Sequence, residues 1–225
     1  MDFQTYLRLG SASIEVLMQK IIDALFQCNA VRFGDFILKS KEHSPIFIDI
    51  AKIFGTPVFN LVTEQMINIL DFCSFVKKQD SLCGAAYKGI PLAVGMSYLY
   101  LQKNNVPLPV FFDRKEPKKH GEIGRFFGLE PTPNANVVII DDVISDGLTK
   151  SLLIDEITAA YNVNVSGIIV VVDRRKTRSL RLGNTPVYSL VDIDQIIDYM
   201  DSINHPKLEA VQKYFKEKSE NPLKE

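Results

Sequence analysis

An α/β fold, with a mostly parallel sheet flanked by helices, is what the amino-acid pattern of this chain predicts. Apolar runs of strand length alternate with segments whose apolar residues recur at helical spacing. Two of the runs, NVVII (136–140) and VSGIIVVVD (165–173), are apolar almost without interruption, the pattern of strands covered on both faces. No internal repeat and no linker-like stretch divides the chain, so residues 1–225 are expected to form one domain. At 46% hydrophobic residues, a chain of this length has enough apolar side chains for a substantial core.

The elements follow in order. Residues 13–28 place Ile14, Leu17, Met18, Ile21 and Leu25 on one helical face. VRFGDFILK (31–39) reads as extended, and after a polar turn holding Pro45 so does IFIDIAKI (46–53). Thr56-Pro57 opens a helix to about residue 78, with the proline in the first turn, where no backbone donor is required. LCGAA (82–86) is a short strand, 90–103 a helix with Pro91 near its start, and VPLPVFF (106–112) a strand. From Asp113 to Pro133 charge and glycine replace any clean period, which predicts a structureless segment, either disordered or a functional lid. After the strand at 136–140 come a helix over 148–161, the strand at 165–173, a last strand near 187–190 and a helix near 193–201. A tail helix near 206–217 has Leu208, Val211, Tyr214 and Phe215 on one face.

Composition excludes several classes. A net charge of −1 opposes bulk attraction to nucleic acid or anionic membrane, so neither is expected as a partner. Three cysteines, Cys28, Cys73 and Cys83, form no C-x-x-C and lie in apolar stretches, as small buried hydrophobes do. The first residues lack the basic, then apolar, organisation of a signal peptide, and no apolar run is long enough to span a bilayer. The expected location is the cytoplasm.

The chemistry concentrates in VVIIDDVISDGLTK (137–150). A buried strand ends on Asp141 and Asp142, and a short turn of hydroxylic residues and glycine leads into a helix. In an open α/β sheet, ligands bind beyond the carboxyl ends of the strands. Free backbone N–H groups and the dipole of a helix N-terminus make an anion site. Gly147 permits a positive φ and close approach, and Ser145 and Thr149 add hydroxyl donors. The result is a phosphate cradle beside two carboxylates, which must face vicinal hydroxyls, a magnesium ion or a developing cation. The acids alone would also suit capping of the next helix. A calcium loop does not fit, because counting from Asp142 puts Ile144 and Leu153 at ligand positions, and no Walker P-loop is present.

With four further segments, FGDFILKS (33–40) and SPIFID (44–49), AYKGIPLA (86–93), RKEPKKHGE (114–122) and VDR (172–174), the chain resembles the orotate phosphoribosyltransferases of the type I phosphoribosyltransferase class, over nearly its whole length. The resemblance implies that class's core, with a small hood from the chain ends near 1–50 and 190–225. It implies transfer of the 5-phosphoribosyl group from phosphoribosyl pyrophosphate to orotate, giving orotidine 5′-phosphate and pyrophosphate in UMP biosynthesis. Mg²⁺ is implied as cofactor, held mainly by substrate and water with no direct protein ligand.

Residue roles carry over as follows. Asp141 and Asp142 accept hydrogen bonds from the ribose hydroxyls and favour an oxocarbenium-like transition state. The loop through Val143, Ile144, Ser145, Asp146, Gly147, Leu148 and Thr149 binds phosphoribosyl pyrophosphate, with the backbone N–H groups of residues 145–149 on the 5′-phosphate. Tyr87 and Lys88 meet the diphosphate, and a cis peptide joins Ala86 to Tyr87. Arg114, Lys115, Lys118 and His120 belong to a lid over 113–125, which has five cationic and three acidic residues. In a homodimer that lid acts in trans, with Lys118 and His120 catalytic. Lys39 contacts both substrates, and Phe47, Ile48, Ser145 and Arg174 contact orotate.

Ile48 stands where the enteric-type pattern has an aromatic, and Asp146 where the family has a small neutral residue. An aspartate there must turn its carboxylate away from the phosphate, to solvent or to the backbone of the following helix. The run RRKTRSLR (174–181) is more basic than usual and reads as solvated surface. Two other functions remain in view: a phosphoribosyltransferase for a purine base, and a phosphoribosyl-pyrophosphate-sensing regulator that binds nucleic acid. The Lys39 segment speaks against the first and the intact lid against the second. A fused decarboxylase domain is not expected at this length.

Overall fold

In the computed structural model, residues 12–38, 41–73, 80–118, 124–175 and 181–220 are described. The apolar runs form the middle of a seven-stranded sheet. Its strands are β3 (Ser81–Gly84), β4 (Val110–Lys118), β5 (Gly124–Gly128), β6 (Asn136–Ile144), β7 (Asn164–Asp173), β8 (Arg181–Leu182) and β9 (Thr185–Asp192), in the order β5-β4-β3-β6-β7-β9-β8. The five from β4 through β9 pair in parallel, and β5 and β8 add antiparallel edges. A separate antiparallel pair, β1 (Val31–Ile37) and β2 (His43–Ile48), precedes the sheet.

Helix α1 (Ala12–Gln27), α2 (Pro57–Phe72), α3 (Gly89–Asn104), α5 (Ile193–Ser202) and α6 (Leu208–Glu220) share one core with β1, β2 and one face of the sheet. Helix α4 (Leu148–Tyr161) covers the other face through Leu153 and Ile157. The boundaries have local causes. Thr56 caps α2 by accepting from the Val58 N–H at 3.2 Å, with Pro57 at the first position. Asp192 and Gln195 form a reciprocal capping box on α5. Asn105 and Asn162, both left-handed, end α3 and α4.

Topology positions the site. The chain leaves β3 through α3 to β4 on one side, and leaves β6 through α4 to β7 on the other. Winding therefore reverses between β3 and β6, and their carboxyl ends diverge into the crevice where such sheets hold ligands. Strand β6 also outruns β3: Gly84 pairs with Ile140, while β6 continues beside β7 to Ile144. Asp141 and Asp142 lie on that overhang, so the strand passes through the acids instead of ending before them.

Several expectations are corrected. The 113–133 segment is not structureless, because β4 runs to Lys118 and β5 returns antiparallel to it, pairing Phe112 with Phe127 and Asp113 with Phe126. Aromatic residues at 126 and 127 gave strand character to a stretch dominated by charge. Pro45 lies within β2, not in a turn; the irregular register between Phe33 and Phe36 accommodates it on a two-stranded ribbon, where a missing donor is tolerated. Extended structure stops at Ile48, and residues Ile50–Ile53 form a 3-10 turn. Helix α2 ends at Phe72, and the expected continuation at 74–78 lies outside the described residues. Among the described residues no helix is long and apolar enough to cross a membrane.

Candidate active site

The two acids face opposite sides of the sheet, as successive strand residues do. Asp142 turns towards α3, where its Oδ2 lies 3.2 Å from Lys88 Nζ. The same ammonium is 3.3 Å from Oδ1 of Asp49, the residue after β2. Lys88 thus bridges two carboxylates from separate segments, in a setting where each side chain keeps part of its surface in water. Asp141 turns towards α4 and is buried. Its Oδ1 accepts the Asp142 N–H at 2.8 Å, and its Oδ2 pairs with the ammonium of Lys150. Burial pushes the Asp141 carboxyl up to about 7; Asp142 adds to the rise and Lys150 opposes it.

The loop before Lys88 carries the Ala86–Tyr87 peptide in the cis form. Its Ala86 N–H donates to Asp113 Oδ1 at 2.5 Å, which ties it to β4. Gly89 starts α3 hard against β6. A Cβ there would sit 2.2 Å from the Ile140 carbonyl oxygen, so only glycine lets the Lys88 loop approach Asp142 this closely.

At the other side of the crevice, residues 145–147 turn the chain into α4. Gly147 has φ +86°, and Ser145, Leu148 and Thr149 are exposed. Asp146 is also exposed, and its Oδ1 accepts the Leu148 N–H at 2.8 Å. Its carboxylate is folded onto the backbone of the following helix, one of the two placements the charge argument allows. Val143 and Ile144 belong to β6. Ile144 is buried, and its carbonyl accepts the Arg174 N–H at 2.9 Å. The turn after the strand therefore begins at Ser145.

On β2, Phe47 lies with its ring 5.5 Å from Lys88 Nζ and 5.4 Å from the Phe36 ring. Ile48 is 3% exposed and points into the core, so its side chain does not reach the site expected for it. Alternation along a strand lets only one of the two adjacent residues face the crevice. Arg174 is buried, donates to Ser44 Oγ at 3.2 Å and lies 5.8 Å from the Phe215 ring. It connects the end of β7 to the strand that carries Phe47.

The hairpin of β4 and β5 is anchored to the rest of the chain. Arg125 holds Glu156 of α4 at 2.9 Å, approaches Asp113 at 3.8 Å and donates to the Arg114 carbonyl. Arg114 lies over the Phe127 ring at 4.6 Å, and Lys115 over the Tyr87 ring at 4.2 Å. Lys118 pairs through its backbone with Gly124; its side chain, His120 and Lys39 lie outside the described residues. The basic run is not simply solvated surface. Arg174 is buried, and Arg175 is buried in a paired contact with Asp173 at 2.7 Å.

Asp49, Asp113 and Lys150 were not anticipated as site residues. Asp49 closes the SPIFID segment and Asp113 opens the charged one, but their contacts are long-range and leave no local signature. Lys150 follows the loop directly and reads as an ordinary helix-surface lysine until its burial is known.

No family model matches the chain. Among curated proteins, it is 32% identical to an orotate phosphoribosyltransferase of Bifidobacterium longum (strain NCC 2705) over 208 residues, 85% of this chain and 89% of that protein. It is equally identical to the enzyme of that name from Marinobacter nauticus, over 82% of this chain and 88% of that one. Among solved structures, Leishmania donovani UMP synthase superposes with a TM-score of 0.73 at 27% identity; the match covers 88% of this chain but 42% of that longer protein. The Francisella tularensis orotate phosphoribosyltransferase shares the fold, with a TM-score of 0.66 at 23% identity, over 87% of this chain and 94% of that one. Identity at this level over most of both chains decides the matter: the chain belongs to the orotate phosphoribosyltransferase family.

Proposed function

We propose that the chain transfers the 5-phosphoribosyl group of phosphoribosyl pyrophosphate to orotate, releasing pyrophosphate and forming orotidine 5′-phosphate for UMP synthesis. The observation that carries this reading is the crevice between β3 and β6. There a helix-terminal turn suited to a phosphate, a carboxylate suited to ribose hydroxyls and a lysine loop suited to a diphosphate stand side by side.

Backbone N–H groups of residues 145–149, with the Ser145 and Thr149 hydroxyls, bind the 5′-phosphate. Asp142 and Asp141 stabilise positive charge growing on the ribose. Lys88 exchanges its carboxylate partners for the diphosphate, which frees Asp142 for the ribose. Mg²⁺, where bound with the diphosphate, would supply counter-charge to the leaving group; among the described residues no cluster of ligating side chains stands ready to hold it, so substrate oxygens and water would do so. Phe47 offers a ring face to orotate, with Lys39 and Arg174 as the cations for its carboxylate and amide edge.

The lid closes over the pyrophosphate of the neighbouring subunit in a homodimer, bringing Arg114, Lys118 and His120 to that site. An exposed apolar stripe on α3, formed by Val94, Tyr98 and Leu101, supports such an interface next to the Tyr87 loop. Three free thiols suit a reducing compartment, the cytoplasm.

The test is an absorbance assay. Orotate absorbance is expected to fall when the protein, phosphoribosyl pyrophosphate and Mg²⁺ are all present. Adenine and hypoxanthine should give no product. Turnover of a purine base instead would replace the orotate reading with the purine one. Retained binding of phosphoribosyl pyrophosphate without turnover of any base would favour the regulator.

A further inference from the structure

Lys150, directly after the phosphoribosyl loop, has a placement that is costly without a partner. It is the third residue of α4 and only 7% exposed, where an ammonium persists only when paired. Its partner is Asp141, itself 7% exposed. The Lys150 N–H also donates to the Gly147 carbonyl at 3.0 Å, so the residue is tied to the turn by its backbone and to β6 by its side chain.

Among the described residues no other cation acts on Asp141. On its own strand the neighbour is Asp142, whose cation, Lys88, lies towards the other face. From β3 the facing group is the buried Cys83 thiol, and Asp113 of β4 lies beyond it. The diacid is therefore asymmetric. Asp142 has a half-exposed lysine that a diphosphate can draw away, whereas Asp141 has a buried lysine that no substrate group replaces.

We propose that Lys150 is a positioning residue for the transfer: it keeps Asp141 charged and fixed beneath the ribose while the partner of Asp142 is exchanged. The inference rests on the proposed transferase reading. It assigns Lys150 no contact with substrate and routes its effect through Asp141. Without the ammonium, Asp141 is a buried carboxylate beside another carboxylate. It then takes up a proton, and the negative charge that favours the ribosyl cation is lost. Because the charged form of Asp141 is the working one, activity falls as pH drops through the carboxyl's titration, and losing Lys150 moves that fall to higher pH.

The test compares kcat/KM for phosphoribosyl pyrophosphate across pH in wild type, Lys150→Met and Lys150→Arg. Lys150→Met is expected to shift the acid limb upward by about one pH unit or more, a loss of roughly tenfold at neutral pH that is partly recovered in alkali. Lys150→Arg should keep the wild-type limb. A loss in Lys150→Met that is equal at every pH, or no loss, overturns the proposal. Should Lys150→Met fail to fold, Lys150→Met/Asp141→Asn decides. Folding regained by neutralising Asp141 identifies the charge pair as the cause, and a double variant that also fails to fold assigns Lys150 to packing alone and overturns the proposal. An inactive wild type would reject the transferase reading; an active wild type with an unshifted variant rejects only the role of Lys150.

Discussion

Lys118→Ala is expected to lower kcat by roughly 10²–10³-fold, the scale on which removing one preorganised charge-stabilising group acts, while leaving the folded structure intact. The leaving pyrophosphate gathers negative charge as the ribosyl bond breaks, and a cation delivered by a closing lid meets it with water excluded. The hairpin that would carry that lid is fastened in place: β4 and β5 are paired, and Arg125 ties them to α4 and Asp113. Lys118 is the last residue of β4. If the lid serves the other subunit, mixing Lys118→Ala chains with Asp142→Asn chains creates dimers with one site intact at both residues. Such a mixture is expected to regain on the order of a quarter of wild-type activity in a symmetric dimer. Mixed dimers that form and stay inactive place the lid over its own subunit's site.

Gly147→Val is expected to raise KM for phosphoribosyl pyrophosphate by on the order of a hundredfold, because in the proposed site the backbone itself is the phosphate ligand. Gly147 has φ +86°, which a β-branched residue adopts only under strain, and an added Cβ would lie 2.7 Å from Leu182 Cδ1. Shifting the turn to relieve either conflict misaims the N–H groups of residues 145–149. Asp146→Ala provides the contrast. Two unit charges about 4 Å apart repel by roughly 4 kcal/mol at an effective dielectric near 20, so a carboxylate aimed at the phosphate would nearly abolish binding. The Asp146 carboxylate instead accepts from Leu148 N–H. Its removal should therefore change KM by no more than about threefold, since an exposed Asx-type bond is weak. A hundredfold tightening would show that the carboxylate opposes the phosphate during binding.

What local pattern made legible was the sheet and the loop. Continuous apolar runs mark β6 and β7 because both faces of those strands are covered, and the glycine after two acids marks a turn because the backbone there needs a positive φ. Strand β5 was hidden because its signal rests on a few aromatic residues amid charge, and cross-strand pairing with β4, not periodicity, holds it extended. Ile48 resembled a substrate contact by position, but the two-residue period of β2 gives that orientation to Phe47. Asp49, Asp113 and Lys150 were hidden for another reason. Each acts through a partner brought close only by the fold: Lys88 for Asp49, Ala86 N–H for Asp113, and the buried face of Asp141 for Lys150. Arg175 likewise reads as surface charge until Asp173 is seen beside it in the core.

The most direct measurement is phosphorus NMR of phosphoribosyl pyrophosphate mixed with orotate, Mg²⁺ and the protein, with Asp142→Asn run in parallel. Wild type is expected to convert the substrate to pyrophosphate and orotidine 5′-phosphate in equal amounts, only when orotate is present, and Asp142→Asn to do so far more slowly. Unchanged phosphoribosyl pyrophosphate with wild type, or pyrophosphate released without the nucleotide, would contradict the transferase reading.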